Sequence, residues 1–404
     1  MKKTQKSASP VAASKLDIVV LGATGFTGRL TCRYLLRKPE LKGHWGIGGR
    51  SQEKLDALKK EIGATDVPTF VVDATIPSTV DAVCGKATCV IACAGPFTQV
   101  GMPVVEACMR HGTHYVDSTG EFTFVRQVIE KYHDEATKKN ITIVPCCGFD
   151  CVPADIGNFV VHREAGEALK VVKGYFDLNT AGVSNGTINS VCAVMENMAK
   201  EDYSPLSLVA KDAVQPTATP ARRGIWFENG RFTGFLISAT GDERTVRRSN
   251  SLLRSSAVYM QASQGSLLRV VASTLAFYVV GIVLAIGPLR RWLVGRYFSG
   301  TGVGPADLTM TRSNFHCSFV GQTISGKQVE TTLTAKEDCY TATAVFLGES
   351  ALSVLALARK KKLKGGVLTP SAAFGDELVH RLRDSGMGIE TVIIGGSSSA
   401  KKEK

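Results

Sequence analysis

Leu16-Asp17-Ile18-Val19-Val20-Leu21-Gly22-Ala23-Thr24-Gly25-Phe26-Thr27-Gly28 is the stretch on which the reading of the chain turns. Its first six residues form a short apolar run, suited to a strand buried on both faces. Three glycines follow at GxxGxxG spacing, and Phe26, Leu30, Tyr34 and Leu35 then recur as the inner side of a helix. Between strand and helix each glycine has a task. One allows a tight turn, one lets a diphosphate approach the backbone, and one lets the helix pack closely on the strand. The helix N-terminus then offers free N–H groups and a partial positive charge. Gly22, Thr24, Gly25, Phe26, Thr27 and Gly28 are therefore the expected cradle for a dinucleotide.

The next elements extend the pattern. His44–Gly49 reads as a second strand, followed by Arg50, Ser51 and Lys54. A site preferring NAD places an acid here to accept from the ribose hydroxyls. An arginine, a serine and a lysine one turn on suit a 2′-phosphate instead, so NADP is expected in preference to NAD. Ser51 also suits the N-cap of a helix over Gln52–Ile62. Pro68–Ala74 is the third strand and ends near Asp73, placed for the adenine region. A helix start near Ser78, a fourth strand Cys89–Ala94 and the turn Gly95-Pro96-Phe97 come next. Helix 101–111, strand His114–Asp117, helix 122–140 and strand Ile141–Pro145 complete the alternation. Such a series implies an α/β fold with a doubly wound parallel (Rossmann) sheet. Ligands bind at the carboxyl ends of its strands, so Ala94, Gly95, Pro96, Phe97, Asp117, Ser118 and Glu121 are expected near the nicotinamide.

Familiar catalytic signatures are missing. The Tyr-x-x-x-Lys spacing occurs at Tyr34 and Lys38, on the first helix and on the wrong side of a cofactor. Cys89-x-x-x-Cys93 and Cys147-x-x-x-Cys151 lack the histidines or second pairs of a zinc site, so no metal is expected. The segment Gly148–Asp155 (GFDCVPAD) carries two carboxylates after the sixth strand. Asp150 and Asp117 are the candidates for proton handling, with Asp150 read equally as a helix cap or turn brace and Cys151 as packing.

Taken together, VLGATGFTG (20–28), Gly49–Ser51, the CAGPF turn, YVDSTGE (115–121), GFDCVPAD and Gly365–Gly386 resemble the saccharopine dehydrogenase-like oxidoreductase family. The resemblance runs over about 16–390. It implies that Gly22, Gly25 and Gly28 hold the pyrophosphate, that Arg50 and Ser51 surround the adenosine ribose, and that Gly95, Pro96 and Phe97 line the nicotinamide side. It also implies that the final segment returns to the dinucleotide domain. The family includes bacterial trans-acting enoyl reductases acting on glycolipid precursors and animal proteins of lipid droplets. Likeness to true saccharopine-forming enzymes is looser, and lysine metabolism is not inherited from the name.

Domain boundaries follow: a basic tail 1–15, a dinucleotide domain 16–165, a second mixed domain 166–362, a returning segment 363–390 and a tail 391–404. In the second domain Leu169–Leu178 reads as a strand and Gly186–Lys200 as a helix, and 201–255, with several prolines and arginines, is expected to include a mobile loop over the site. Phe315–Glu337 reads as a hairpin about Ser325-Gly326-Lys327, Tyr340–Phe346 as a further strand and Glu349–Lys361 as a helix. Val270–Gly287 has 18 residues without a charge. As a helix it is about 27 Å long, close to a bilayer's hydrocarbon thickness. Arg269, Arg290, Arg291, Trp292, Arg296 and Tyr297 flank it as at membrane interfaces. A full crossing would separate strands of one domain, so a shallow hairpin bent near Gly281, or a helix lying in one leaflet, at a membrane or lipid-droplet surface is expected, with a buried helix or homodimer contact as the competing reading.

Composition sets outer limits. The 404 residues are 44% hydrophobic and 21% charged, with a formal charge of +12. Eleven cysteines, an odd number, point to reduced thiols rather than a secreted disulfide frame. Part of the charge sits in the tails and in Arg359–Lys364, with no motif for nucleic acid. The N-terminal tail lacks arginine, which argues against a mitochondrial presequence. The expected activity is NADP-dependent reduction of a C=C or C=N bond in a lipid-like substrate, at the cytosolic face of a membrane or lipid droplet. The alternative is a catalytically silent dinucleotide-binding protein that acts by surface interactions.

Overall fold

The apolar run at the start of the chain becomes β1 (Leu16–Leu21), flanked in a parallel sheet by β2 (Trp45–Gly49) and β4 (Ala87–Ala92). The computed structural model describes residues 15–179, 182–211, 213–216, 224–298, 303–305, 310 and 313–394. The expected basic tails therefore lie outside it, apart from Lys15 and residues 391–394. The first sheet is completed by β3 (Thr69–Val71), β5 (His114–Asp117), β6 (Thr142–Val144) and β13 (Gly366–Val367), in the order β13-β6-β5-β4-β1-β2-β3. Alternate residues of β1 serve two cores. Ile18 and Val20 join the one under α1 (Phe26–Leu36), and Val19 and Leu21 join the one under α3 (Pro77–Cys84) and α4 (Phe97–His111). α2 (Gln52–Ile62) starts at Ser51, whose hydroxyl accepts from the Lys54 amide at 3.3 Å, and ends at Gly63 with φ +72°. α5 (Phe122–Lys138) completes the second face.

α6 (Val152–Ala165) joins this sheet to a second one and is buried on nearly every side. The second sheet takes the order β14-β12-β11-β7-β10-β9-β8. Its strands are β7 (Leu169–Asn179), β8 (Trp226–Glu228), β9 (Arg231–Gly234), β10 (Val258–Gly265), β11 (Asn314–Thr323), β12 (Gln328–Ala335) and β14 (Gly388–Ile394). β7 and β10 pair parallel and the others antiparallel, so the sheet is mixed. α6 lies against it so closely that a Cβ on Gly157 would come within 2.2 Å of the Phe319 ring.

Several expectations change here. Tyr340–Phe346 is not a strand but the first turns of α11 (Cys339–Arg359), capped by Asp338, whose carboxylate accepts from the Tyr340 amide at 2.7 Å. Its alternation of Thr341 and Thr343 with apolar neighbours misled because α11 is covered on nearly all sides, so that Thr343 is buried and Thr341 half-buried. α11 packs on α1, beneath the first sheet, although it lies in the span assigned to the second domain. Tyr34 of α1 and Lys38, two residues past its end, both bond Glu349 of α11, the tyrosine at 2.5 Å. Their spacing thus serves packing. The returning segment divides: β13 joins β6 of the first sheet, α12 (Pro370–Asp384) packs on α11 and α6, and β14 joins the edge of the second sheet. The stretch 201–255, expected to include a loop over the site, also holds β8, β9 and α8 (Ala239–Leu252).

The uncharged run forms α9 (Leu267–Ala285), with only Val270 and Thr274 buried. Leu268, Leu275 and Ile282 are 80%, 63% and 64% exposed, so a buried core helix is excluded. The chain turns at Ile286 into α10 (Gly287–Tyr297), not at Gly281, because Pro288 sets the start of the new helix. α10 returns to α7 (Asn185–Asn197), where Arg290 bonds Glu196 at 2.9 Å.

Enlarging Gly157 tests the joint between the sheets. Gly157→Val should lower stability by about 2 kcal/mol, because the Phe319 ring is itself held edge-on by Phe176 and overpacking outweighs the gain in helix propensity. Thermal unfolding of the variant would show a clear fall in Tm; an unchanged Tm would mean that the joint is loose.

Candidate functional site at the carboxyl edge of the first sheet

The turn after β1 is built by what its glycines lack. Gly22 has φ +76°, and a Cβ there would lie 2.8 Å from the Ala94 amide nitrogen. A Cβ on Gly28 would lie 2.2 Å from the Gly22 carbonyl oxygen. The turn therefore sits against the end of β4 while α1 starts directly on top of it. The amides of Gly22 and Ala23 donate to the Gly48 carbonyl at 3.0 and 3.1 Å, which fixes the loop to β2. Gly25 is the N-cap of α1 and no side chain caps the helix, so the first-turn amides at Phe26, Thr27 and Gly28 point out with the positive end of the dipole. Thr24 lies beside Gly49, the last residue of β2: a Cβ on Gly49 would lie 3.6 Å from its hydroxyl. This chemistry fits a diphosphate.

Arg50 and Lys54 are exposed just beyond β2, on the same edge. Asp73 lies past β3, where the Thr75 amide and hydroxyl hold its carboxyl below the usual range and Arg50 adds to the effect. With Arg50 and no acid ending β2, the donor set suits a 2′-phosphate. Ser51 spends its oxygen on the cap of α2 but keeps its hydroxyl proton to offer.

β4 stops at Ala92, two residues earlier than expected, so Cys93, Ala94 and Gly95 lie in the crevice loop. Ala94 and Gly95 are exposed and Pro96 is half-buried. Phe97 departs from expectation. Its ring is buried against Phe124, with centroids 5.9 Å apart, and its amide donates to Glu121 at 2.8 Å. It anchors the turn and does not line it. Glu121 does most of this anchoring: its buried carboxylate accepts from the Phe97 and Thr98 amides, the Thr98 hydroxyl and Ser190 of α7. Nothing in sequence spacing links Ser190 to this turn.

Asp117 is also a brace. It is fully buried, and accepts from the Thr119 and Cys146 amides at 2.9 Å and the Tyr115 hydroxyl at 2.8 Å. Burial pushes its carboxyl up to about 7 against those three donors. Asp155 is buried in α6 and ties it to Ser249 of α8 and to Ser371 of α12, and burial raises it to about 6. Cys151 is packed, its thiol pushed up and 3.5 Å from the Thr245 hydroxyl.

Asp150 is different. The residue is exposed, yet the protein packed around its carboxyl raises its pKa by desolvation. Its Oδ2 stands 3.0 Å from where a Cβ on Gly120 would be, which places it beside the loop after β5. The Phe149 amide before it donates to Thr343 of α11 at 3.1 Å and fixes the loop. Above the diphosphate turn, Phe26 meets Tyr340 edge-on with centroids 5.2 Å apart. The Tyr340 hydroxyl accepts from the Ser184 amide at the start of α7.

Comparison with known proteins follows from this geometry. Residues 18–144 match the family model described as the saccharopine dehydrogenase NADP binding domain. The chain is 34% identical over 416 residues to a putative trans-acting enoyl reductase of Mycobacterium tuberculosis, covering 93% of this chain and 97% of that one. It is 31% identical over 412 residues to a trans-acting enoyl reductase of Mycobacterium ulcerans, with 93% and 97% covered. Among solved structures, apo saccharopine dehydrogenase (L-Glu forming) of Saccharomyces cerevisiae aligns over 94% of this chain and 99% of that one, at TM-score 0.53 and 15% identity. The last likeness concerns fold alone.

Neutralising Arg50 tests the cofactor edge. Arg50→Gln should weaken NADPH binding about tenfold to a hundredfold, the worth of one charge-assisted contact, and leave NADH binding nearly unchanged. Fluorescence titration with both nucleotides measures this; equal losses would remove Arg50 from the phosphate site.

Proposed function

The chain belongs to the saccharopine dehydrogenase-like oxidoreductases, and from that membership we propose that it uses NADPH to reduce a conjugated C=C or a C=N bond of a lipid-like substrate at a membrane or lipid-droplet surface. It is an NADP-binding oxidoreductase by family. Gly22, Thr24, Gly25, Thr27 and Gly28 would hold the diphosphate, and Arg50 with Lys54 the 2′-phosphate. When bound, the nicotinamide supplies hydride, so the protein need supply only position, exclusion of water and a proton. Glu121 fixes the Ala94–Pro96 turn beside the reacting face. Asp150 is the one acidic side chain of the site that is both open to the crevice and raised in pKa, which fits a general acid.

The lipid part of the reading rests on α9. A helix of 19 residues with no charge after Arg269 and with its apolar side chains outward would be costly in water. Its start is tied to the second sheet, where Arg269 bonds Asp177 at 2.6 Å, and its partner α10 is tied to α7 by Arg290. Both ends thus return to one side, as a monotopic hairpin requires. Exposed Trp292 and Tyr297 with Arg291 and Arg296 suit an anionic headgroup layer. Membership carries the enoyl chemistry: the mycobacterial relatives bear that name.

Two outcomes are expected. Purified protein should oxidise NADPH with 2-enoyl thioesters of long-chain acyl groups presented in vesicles; tight nucleotide binding without turnover on any acyl chain would favour the silent interaction protein instead. The triple variant Leu268→Ser, Leu275→Ser, Ile282→Ser should bind phosphatidylserine–phosphatidylcholine vesicles at least about tenfold more weakly in co-sedimentation, given the apolar area removed, with NADPH affinity unchanged. If wild type and variant sediment alike, α9 is a contact between copies, and light scattering would then find a dimer that the variant loses.

A further inference from the structure

One short segment joins the apolar helix α9 to the crevice at Asp150. Phe235-Leu236-Ile237-Ser238-Ala239-Thr240-Gly241 runs from the end of β9 into the first turn of α8 and carries no ionisable side chain. Its start is fixed to α9. A Cβ on Gly234 would lie 2.6 Å from Val270 Cγ1 and 2.8 Å from Thr274 Oγ1, and the Phe235 ring lies against that of Phe277, with centroids 4.0 Å apart. Val270, Thr274 and Phe277 recur at helical spacing, so a single stripe of α9 meets the segment.

At its other end the segment reaches the acid. A Cβ on Gly241 would lie 3.4 Å from the Gly120 carbonyl oxygen, and a Cβ on Gly120 would lie 3.0 Å from Asp150 Oδ2. Between the two ends the side chains divide. Leu236 and Ala239 are buried, Ile237 is 51% exposed, and Phe235 and Phe277 are half-buried. The Thr240 hydroxyl is engaged by the Ile237 carbonyl at 3.1 Å. The next acid in the chain, Asp242, is 2% exposed and accepts from Gln261 of β10. The segment thus offers solvent an apolar side chain and no charge. Its six steps from Phe235 to Gly241 span at most about 20 Å, within the reach of a long acyl chain.

We propose that this segment is the acyl subsite of the crevice: a hydrocarbon chain whose reacting end lies at Asp150 runs along Ile237 to the Phe235–Phe277 pair, and its tail continues on α9. Ile237 and Phe277 then set the preference for chain length, Ile237 for carbons nearer the reacting bond and Phe277 for those farther out. The inference rests on the reductase reading above and gives its lipid substrate a place. Continuity favours this occupant, since the segment touches both the acid that would serve the head and the helix that would hold the tail. A chain leaving a bilayer along α9 reaches Asp150 without exposing each methylene to water. A charged substrate would gain nothing from such a border.

Calorimetric titration of the NADPH-bound protein with the butanoyl, octanoyl and dodecanoyl thioesters of pantetheine tests this, because saturated chains bind without being reduced. Half-burial of a methylene is worth about a factor of two in affinity, so octanoyl should bind about tenfold tighter than butanoyl, at one chain per protein. Ile237→Ser should remove most of that gain and Ile237→Leu should keep it. Phe277→Ser should weaken dodecanoyl by about fivefold and spare octanoyl. Affinity for butanoyl and for NADPH should stay as in wild type throughout. Equal affinities for the three chains in wild type would overturn the subsite, as would a graded series that neither serine variant alters. Should Ile237→Ser lose NADPH binding through misfolding, Phe277→Ser decides alone, and an unaltered dodecanoyl affinity there counts against the subsite. The reductase reading fails separately. A graded, Ile237-dependent series without turnover of the matching 2-enoyl thioesters would end that reading and leave an acyl-binding site. Turnover with the same KM at all three lengths would keep the reading and end the subsite.

Discussion

The close contact among Gly22, Gly28 and Ala94 sets the geometry of the whole carboxyl edge. Because no side chain separates the first turn from the end of β4, the diphosphate cradle and the nicotinamide-side loop form one continuous lining. The same contact lets α1 start on top of the turn, which aims its uncapped amides into the crevice. α11 then packs on α1 and carries Tyr340 to Phe26, so the second half of the chain is positioned from the same place. An added methyl at Gly22 or Gly28 would force the turn and the strand apart and disturb all of these together.

Around that edge the protein assigns its acids two jobs by degree of enclosure. Asp117, Glu121 and Asp155 are wrapped by donors and hold segments that share no sequence proximity: β5 with the β6 loop, α4 with α7, α6 with α8 and α12. Their value lies in satisfied hydrogen bonds within a dry interior, where an unmet acceptor would cost far more than an exposed one. Asp150 differs from them in being exposed, while Asp242 is enclosed as they are and accepts from Gln261 of β10.

The first sheet could be read from the sequence because local signals agreed with the tertiary outcome. β1, α2 and β5 have the bounds that the apolar runs and the Ser51 cap indicate. The tight glycine turn after β1 was legible for the same reason, since glycine spacing records steric need directly. Elsewhere the signals conflicted with the outcome. α8 is polar along its length, with Asp242, Glu243, Arg247 and Arg248 all buried, so its composition resembled a solvated loop. Phe97 sat in a motif that suggested a lining role, yet an aromatic ring beside Phe124 gains more from burial than from facing a polar crevice. α11 reads as alternating only because a helix covered on all sides has no polar stripe to reveal its period. Ser190 reaches Glu121 through long-range folding, for which a single sequence carries no mark.

The path of residues 366–394 has a bearing on biosynthesis. β13 is the outer strand beside β6, and β14 closes the edge of the other sheet next to β12. Both come from the end of the polypeptide, and α11, which shields β4 and β5, comes only shortly before. A nascent chain leaving the ribosome therefore holds its nucleotide-binding half for most of translation with an unpaired margin and a bare apolar face. Closure waits on contacts between residues more than 200 positions apart, as between Thr142 and Gly366. During that interval exposed β6 and the uncovered face are the places where chaperones would be needed and where premature release would lead to aggregation.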